Sequence, residues 1–100
     1  MIQAQINLPL YDNDGKSVKK AHKQLQVELS KFSGGFTSFK GQGGWLDKGK
    51  LYNDTLMIYQ IAIDKKFTNL FIKISKKYGI KTRQLAIYTV INGQVKIINI

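Results

Sequence analysis

The sequence contains no cysteine, one histidine, one proline and only six acidic residues in 100. Without cysteine the chain forms no disulfide and offers no thiolate as nucleophile or metal ligand. The single histidine, His22, excludes a metal site built from several histidines, and its place in a predicted helix is typical of an ordinary surface residue. So few groups for proton transfer do not favour an enzyme, and neither a metal nor a cofactor is predicted.

Long apolar runs are also missing. No stretch approaches the roughly 18 uninterrupted apolar residues of a membrane span, and the N-terminal MIQAQINL lacks the basic start and apolar core of a secretory signal. A length of 100 residues with 43% hydrophobic residues fits one globular domain with a modest core. We therefore expect a single domain over residues 1–100, located in the cytoplasm and without a membrane partner.

Positive charge dominates the residues that are present. Sixteen Lys and Arg stand against six Asp and Glu, which gives a formal net charge of +10, and Arg83 is the one arginine. Lysine acts as a hydrated point charge, whereas arginine provides the planar fork that binds base edges. The excess therefore indicates attraction to phosphate groups rather than recognition of a base sequence. The alternative is that the lysines only keep the protein soluble.

The first third of the chain predicts a strand and a helix. Apolar residues occupy every second position from Ile2 to Leu10, which is typical of a strand with one buried face. Residues 11–15 have the composition of a turn, and Ser17 is a good N-cap for a helix that ends at Gly34. The apolar stripe of this helix comprises Val18, Ala21, Leu25, Leu29 and Phe32.

The rest of the chain predicts four strands and a second helix. We expect a short strand at 36–40, a glycine-rich loop from Gly41 to about Asp54 and a central strand at 55–63. Asp64 is predicted to cap a helix that ends at Gly79 and buries one apolar stripe. A strand at 83–91, the hairpin signal Asn92-Gly93 and a last short strand complete the order β-α-β-β-α-β-β. The stripe comprises Phe67, Leu70, Phe71, Ile74 and Tyr78.

This order predicts an α+β fold of the ferredoxin-like type. Its βαββαβ core is an antiparallel sheet with both helices on one face, and the C-terminal hairpin adds an extra strand. Because βαβ crossovers are right-handed, the start of the first helix and the end of the second fall at the same end of the molecule. The residues predicted to bind phosphate at this end are Lys16, Ser17, Lys19, Lys20, Lys23, Lys40, Trp45, Lys48, Lys76, Lys77, Lys81 and Arg83.

Two observations weigh against a purely functional interpretation of this charge. Lys65 and Lys66 lie at the opposite end of the predicted fold, where they cannot serve the same site. Lysines near the end of a helix, such as Lys76 and Lys77, are also favoured by the helix dipole without any ligand.

Gly15-Lys16-Ser17 has the spacing that ends a phosphate-binding loop. The first glycine of such a loop is replaced here by Leu10, and Asp12 and Asp14 stand where phosphate would lie. A turn closed by an aspartate side chain is therefore favoured over both a phosphate loop and a calcium loop. The start of the following helix remains able to bind an anion through its free backbone amides.

Three segments with glycines occupy the middle of the chain: Gly34-Gly35-Phe36-Thr37, Gly43-Gly44-Trp45, and Gly49 with Asn53-Asp54. Their spacing resembles that of a family of small uncharacterised bacterial and phage proteins. The resemblance implies a compact ferredoxin-like domain of the kind that mobile elements encode, and it implies no activity. Trp45 either covers a ligand or anchors its loop over the sheet edge, and anchoring is favoured.

Aromatic residues in the predicted strands suggest two kinds of contact surface. Tyr59 and Tyr88 would form a stacking platform for bases if both faced away from the helices. The apolar residues Met57, Ile61 and Ile63 would be costly to expose on the same strand, which predicts a homodimer through the sheet face or the C-terminal hairpin.

Together these features predict a non-enzymatic basic binding module that holds nucleic acid through its lysine-rich end. The first alternative is a protein that sequesters a nucleotide or cyclic nucleotide, as phage anti-defence proteins do. The second alternative is an inhibitor that binds an acidic protein partner.

Overall fold

The computed structural model describes all residues 1–100 and contains one antiparallel sheet and two α-helices. The five strands are β1 (Ile2–Pro9), β2 (Thr37–Asp47), β3 (Lys50–Ile63), β4 (Ala86–Ile91) and β5 (Gln94–Asn99). The helices are α1 (Lys19–Ser33) and α2 (Thr68–Lys81), and a short 3-10 turn at Lys65–Phe67 precedes α2. The predicted α+β class is therefore confirmed.

The strands lie in the order β2-β3-β1-β4-β5, and every neighbouring pair is antiparallel. β1 is central, with β3 on one side and β4 on the other. β5 extends the sheet beyond β4, so the order is not a simple ferredoxin-like one. The hairpin that joins β4 to β5 turns at Asn92-Gly93, as predicted, because both residues adopt positive φ angles of 51° and 79°.

Alternation along β1 decides which face of the sheet is covered. Ala4, Ile6 and Leu8 are completely buried and form the core together with the apolar stripes of both helices. Gln5 on the opposite face donates a hydrogen bond to Asn7 and accepts one from Gln60, at 3.0 and 3.1 Å. The sheet therefore has a helix-covered face and an open face whose centre is a row of amide side chains.

The structure shows that one argument for the homodimer was wrong. Tyr59 and Ile61 lie opposite the buried Ile6 and Ala4 of β1, and Ile63 lies opposite Ile2. Tyr59, Ile61 and Ile63 are themselves at most 4% exposed. They pack beneath the helices and offer no apolar surface to a second copy. Strand parity could not reveal this face, because both parities of residues 55–63 are apolar.

The predicted loop between Gly41 and Asp54 is instead a long β-hairpin. β2 and β3 pair continuously from Thr37 opposite Gln60 to Asp47 opposite Lys50. Lys48 and Gly49, which adopt φ angles of 51° and 78°, close the two-residue turn between them. The prediction failed because glycines were interpreted as strand breakers.

Those glycines serve the packing of the hairpin. A Cβ atom on Gly41 would lie 2.8 Å from Ile58 Cδ1, and one on Gly43 would lie 3.2 Å from Leu56 Cδ1. The side chains of Ile58 and Leu56 therefore lie across β2, in the space that the missing Cβ atoms leave.

The observed helix ends agree only in part with those predicted from the sequence. α1 ends at Gly34, with φ of 81°, as predicted, but Val18 rather than Ser17 holds the N-cap position and no side chain caps the helix. Asp64 caps the 3-10 turn through Lys66 N at 3.0 Å. α2 continues past Gly79 to Lys81, because Gly79 is buried against Ile87 and Ile100 rather than ending the helix.

α2 buries most, but not all, of its predicted apolar stripe. Leu70, predicted in the buried stripe of α2, is 39% exposed, while Phe71, Ile74 and Tyr78 are buried as expected. Neither helix combines the length and the apolar character that crossing a membrane requires.

Candidate functional site

One end of the molecule brings together the turn after β1 and the end of α2. Arg83 Nη1 lies 2.7 Å from the Asp14 carboxylate, and Asn13 Nδ2 donates a hydrogen bond to the Arg83 carbonyl at 2.7 Å. Lys81 on α2 reaches Gln24 on α1 at 3.1 Å. The predicted gathering of the α1 start and the α2 end is thus a feature of the fold.

Asp12 closes the turn that resembles the end of a phosphate loop. Its Oδ1 atom accepts hydrogen bonds from the backbone N–H groups of Asp14 and Lys16, both at 2.9 Å. These bonds, first of all the one from Lys16, hold the pKa of Asp12 below its ordinary value. The Asp12 carboxylate therefore accepts the backbone hydrogen bonds that a phosphate would need, so this turn is not a phosphate-binding loop.

His22 is the main correction to the predicted site. The sequence suggested a surface residue, but His22 is only 4% exposed and faces the sheet from α1. Its Nε2 atom lies 2.8 Å from the Pro9 carbonyl oxygen, and its Nδ1 atom lies 2.6 Å from the Tyr59 hydroxyl. Since a carbonyl only accepts, Nε2 carries the proton and the Tyr59 hydroxyl donates to Nδ1.

Burial keeps this pair neutral. Desolvation lowers the pKa of His22, and the hydrogen bond to Pro9 offsets only part of that effect. Desolvation also raises the pKa of Tyr59, whose oxygen accepts a hydrogen bond from Gln26 Nε2 at 3.3 Å. At neutral pH the pair is an uncharged phenol donating to an uncharged imidazole.

A cleft of about 290 Å³ lies over the His22–Tyr59 pair, and we call it the helix-side cleft. Lys19 and Lys23 on the first turns of α1 and Lys40 on β2 line it, together with Ser17 and Met57. The cleft therefore combines a neutral polar floor with three positive charges. Four residues predicted from the sequence, Ser17, Lys19, Lys23 and Lys40, are brought together here.

The other predicted residues lie outside this cleft. Lys77 is 3.0 Å from the Glu28 carboxylate, and Lys81 and Arg83 have the structural partners Gln24 and Asp14. Lys48 sits in the turn of the β2–β3 hairpin. The remaining predicted lysines are exposed and line no part of it: Lys16, Lys20 and Lys76.

Trp45 and the two tyrosines also lie where the sequence could not place them. Trp45 stacks on Tyr52, with ring centroids 4.6 Å apart, on the open face of the sheet. Tyr59 faces the helices while Tyr88 lies on the open face and is 40% exposed. The two tyrosines therefore do not form the shared stacking platform, and Trp45 covers no part of the helix-side cleft.

Sequence reasoning missed His22, Gln26 and Tyr59 as members of one site. A signal was available for His22, since it lies four residues after Val18 and three before Leu25, within the apolar stripe of α1. Tyr59 lies 37 residues further along the chain, and only the register of β3 brings it under α1.

Comparison with known proteins gives a result at the level of fold. No protein-family model and no curated protein matches the chain by sequence. By structure, the whole chain resembles a lyase from a phage. The matching structures are a phage SAM lyase in complex with S-methyl-5'-thioadenosine, with a TM-score of 0.76 and 16% identity, and a phage SAM lyase in its apo state, with 0.70 and 17%.

Both alignments cover 99% of this chain and 89% of the lyase chain. They overturn the prediction of a non-enzymatic nucleic-acid-binding module, because the shared fold belongs to an enzyme whose bound molecule is a single nucleoside. The net charge misled because it does not show where the lysines lie, and only three of the fifteen, Lys19, Lys23 and Lys40, line the helix-side cleft. A phage protein directed at a nucleotide-type small molecule, the first alternative, agrees better with the comparison.

Proposed function

We propose that the protein binds one adenine nucleoside or nucleotide with a carboxylate or phosphate group in the helix-side cleft, and thereby removes it from the cellular pool. The observation that carries this proposal is the cleft itself, in which three lysines stand around the neutral His22–Tyr59 pair. The whole-chain likeness to a phage SAM lyase supports it at the level of fold.

Charge supports an anionic group on the ligand. Lys19, Lys23 and Lys40 line one small cavity, and none of them takes part in the two ion pairs of the protein. Charge-assisted hydrogen bonds from lysine to carboxylate or phosphate are among the stronger polar contacts, especially where apolar walls exclude water. Met57 and Leu10 supply such walls here.

Size supports a single small molecule. A volume of about 290 Å³ lies at the lower end of small-molecule sites and leaves no room for a duplex or a folded partner. The floor is already ordered, since His22, Tyr59 and Gln26 are held by hydrogen bonds to one another and to the backbone. A ligand would therefore meet polar groups that need little rearrangement.

Calorimetric titration tests the proposal with AMP, cyclic AMP, S-adenosylmethionine and methylthioadenosine as ligands. We expect at least one ligand with an anionic group to bind with one site per chain. The combined change Lys19→Ala, Lys23→Ala and Lys40→Ala should weaken that binding by about a thousandfold, because each of the three charge-assisted contacts contributes about tenfold.

A matched control separates the cleft from the general charge of the protein. Lys65→Ala, Lys66→Ala and Lys96→Ala also remove three of the ten net positive charges, but at positions outside the cleft. This control should retain the affinity within about threefold. Equal loss of binding in both triple variants, or no binding of any of the four ligands, would refute the proposal.

Cleavage of S-adenosylmethionine is a second candidate function, and the His22–Tyr59 hydrogen bond of 2.6 Å favours it. The carbon–sulfur bond to the amino-acid part would break, and sulfur would keep the bonding pair in methylthioadenosine. The amino-acid part would lose a proton from the neighbouring carbon to the Tyr59 oxygen, while the phenolic proton passes to His22 Nδ1. Methylthioadenosine released by wild type but not by Tyr59→Phe, measured by liquid chromatography, would support this candidate, and its absence in wild type would exclude it.

The predicted homodimer now depends on the C-terminal hairpin, which was the second of the two surfaces considered from the sequence. Val95 and Ile97 on the edge strand β5 are 59% and 50% exposed, and an unpaired strand edge is a common place for two chains to meet. Light scattering should give twice the monomer mass of 11.4 kDa, and a monomer would exclude the dimer. A cytoplasmic location, where nucleotide pools are found, forms part of the same proposal.

A further inference from the structure

A second cavity lies on the open face of the sheet, and its chemistry is the reverse of the helix-side cleft. It measures about 350 Å³ and lies between the β2–β3 hairpin and the start of β4. Trp45 and Asp54 line it from the hairpin, Tyr88 lines it from β4 and Asn7 lies between them on β1. We call this cavity the open-face trough.

The open-face trough carries a negative charge, although the protein as a whole has a positive net charge. None of the fifteen lysines lines it, and Asp54 is its only charged residue. Asp54 belongs to neither of the two ion pairs, and no side-chain hydrogen bond engages its carboxylate. A carboxylate without a cation partner, in a chain with so many lysines, is available to a cation from outside.

The aromatic walls define what kind of cation fits. The Trp45 ring lies nearly parallel to Tyr52, at an interplanar angle of 17°, and half of Trp45 remains exposed. Tyr88 presents a second aromatic side chain from β4. Aromatic faces attract cations whose charge is spread over an apolar shell, above all quaternary ammonium ions, with tryptophan the strongest partner.

A glycine helps to keep the trough open. Gly43 lines the cavity and lies on the same face of β2 as Trp45. A Cβ atom at Gly43 would lie 3.2 Å from Leu56 Cδ1, which lines the same cavity. Without a side chain at this position, the aromatic walls and Asp54 remain accessible.

We propose that the open-face trough binds a small organic cation of the quaternary ammonium or sulfonium class, with Trp45 and Tyr88 as its aromatic walls and Asp54 as its counter-charge. The site is separate from the helix-side cleft, because the sheet lies between them. The proposal therefore stands or falls independently of the nucleotide site.

Tryptophan fluorescence reads this site directly, because Trp45 is the only tryptophan in the chain. Choline serves as the cation, and 3,3-dimethylbutanol serves as its uncharged counterpart of the same shape. Titrations at constant ionic strength should show a saturable change with choline and at least about fivefold weaker binding of the uncharged alcohol. Equal binding of the two compounds, or no response to either, would overturn the proposal.

Two variants of equal charge complete the test. Asp54→Asn should weaken choline binding about three- to tenfold and leave the alcohol unaffected, since only the counter-charge is lost. Asp64→Asn removes the same charge far from the trough and retains an N-cap residue, so it should bind choline like wild type. An unchanged choline affinity in Asp54→Asn, or the same loss in both variants, would contradict the assigned role of Asp54.

Discussion

The helix-side cleft and the open-face trough lie on opposite faces of one sheet and differ in charge and burial. Both draw residues from β3, where alternation sends Met57 and Tyr59 to the cleft and Asp54 and Leu56 to the trough. The cleft has three lysines and no acid, whereas the trough has one acid and no lysine. The net charge of +10 therefore describes neither site. Strand parity places Lys40 in the cleft and Asp54 in the trough, and the first turns of α1 add Lys19 and Lys23 to the cleft.

Burial separates the two regions as clearly as charge does. Tyr59 is fully buried and every polar atom of the His22–Tyr59 pair is hydrogen-bonded, so the cleft floor is part of the core. Trp45 and Tyr88 are 51% and 40% exposed, so the trough walls lie on top of the sheet rather than within it. Substitutions in the floor of the cleft should therefore lower the free energy of unfolding more than substitutions in the walls of the trough.

The largest expected effect is on the free energy of unfolding, when one aromatic residue from each region is replaced by alanine. Tyr59→Ala removes a buried ring and leaves His22 Nδ1 without its donor, and should lower the free energy of unfolding by about 3–5 kcal/mol. Trp45→Ala removes a half-exposed ring and should cost about 1 kcal/mol. Denaturation in urea measures both values. Equal costs would contradict the assignment of one region to the core and the other to the surface.

A smaller effect isolates the hydrogen bond in the cleft floor. Tyr59→Phe keeps the ring but leaves the buried His22 Nδ1 atom unsatisfied, and should cost about 1–3 kcal/mol. Tyr88→Phe is the matched change in the trough, where the hydroxyl group lies on a 40% exposed residue, and should cost less than about 0.5 kcal/mol. A neutral Tyr59→Phe in the same urea experiment would show that the 2.6 Å contact contributes little.

The smallest expected effect is a dependence of stability on pH. Because burial lowers the pKa of His22 below its ordinary 6.5, the unfolded chain takes up a proton at higher pH than the folded chain. The free energy of unfolding should therefore fall as the pH drops from about 6.5 towards the lowered pKa. Asp12 and Glu28, whose pKa values are lowered from 3.8 and 4.5, contribute at more acidic pH.

Melting temperatures between pH 7.5 and pH 5 measure this effect. Wild type should lose stability over this range, while His22→Gln, which has no imidazole, should have a flatter profile from its own starting value. Parallel profiles for the two proteins would show that the titration of His22 does not control stability in this range.

Local patterns predicted the elements that depend on local chemistry. The alternation from Ile2 to Leu10 identified β1, Gly34 marked the end of α1, and Asn92-Gly93 identified the last hairpin. Each of these signals lies within a few residues of the structure that it determines. The β2–β3 hairpin was missed because Gly41 and Gly43 leave space for the side chains of Ile58 and Leu56 on β3, and no local pattern shows that contact.

The candidate sites were predicted only in part for the same reason. Ser17, Lys19 and Lys23 are close in sequence, so their meeting at the start of α1 could be foreseen. Tyr59 joins them through the register of β3 against β1, and no local pattern contains that register. The lysines that pair with Glu28 or Gln24 could not be separated from the free ones without knowing how α1 packs on α2.

One nuclear magnetic resonance experiment observes both regions at once and tests the nucleotide site most directly. Met57 lines the cleft and the only other methionine is Met1, while Trp45 is the only indole and lines the trough. Titration with AMP, followed through the methionine methyl and indole N–H signals, should shift the Met57 signal and leave the Trp45 signal in place. A shift of Trp45 without Met57, or no shift of either signal with AMP, cyclic AMP and S-adenosylmethionine each at millimolar concentration, would contradict the assignment of the nucleotide site to the helix-side cleft.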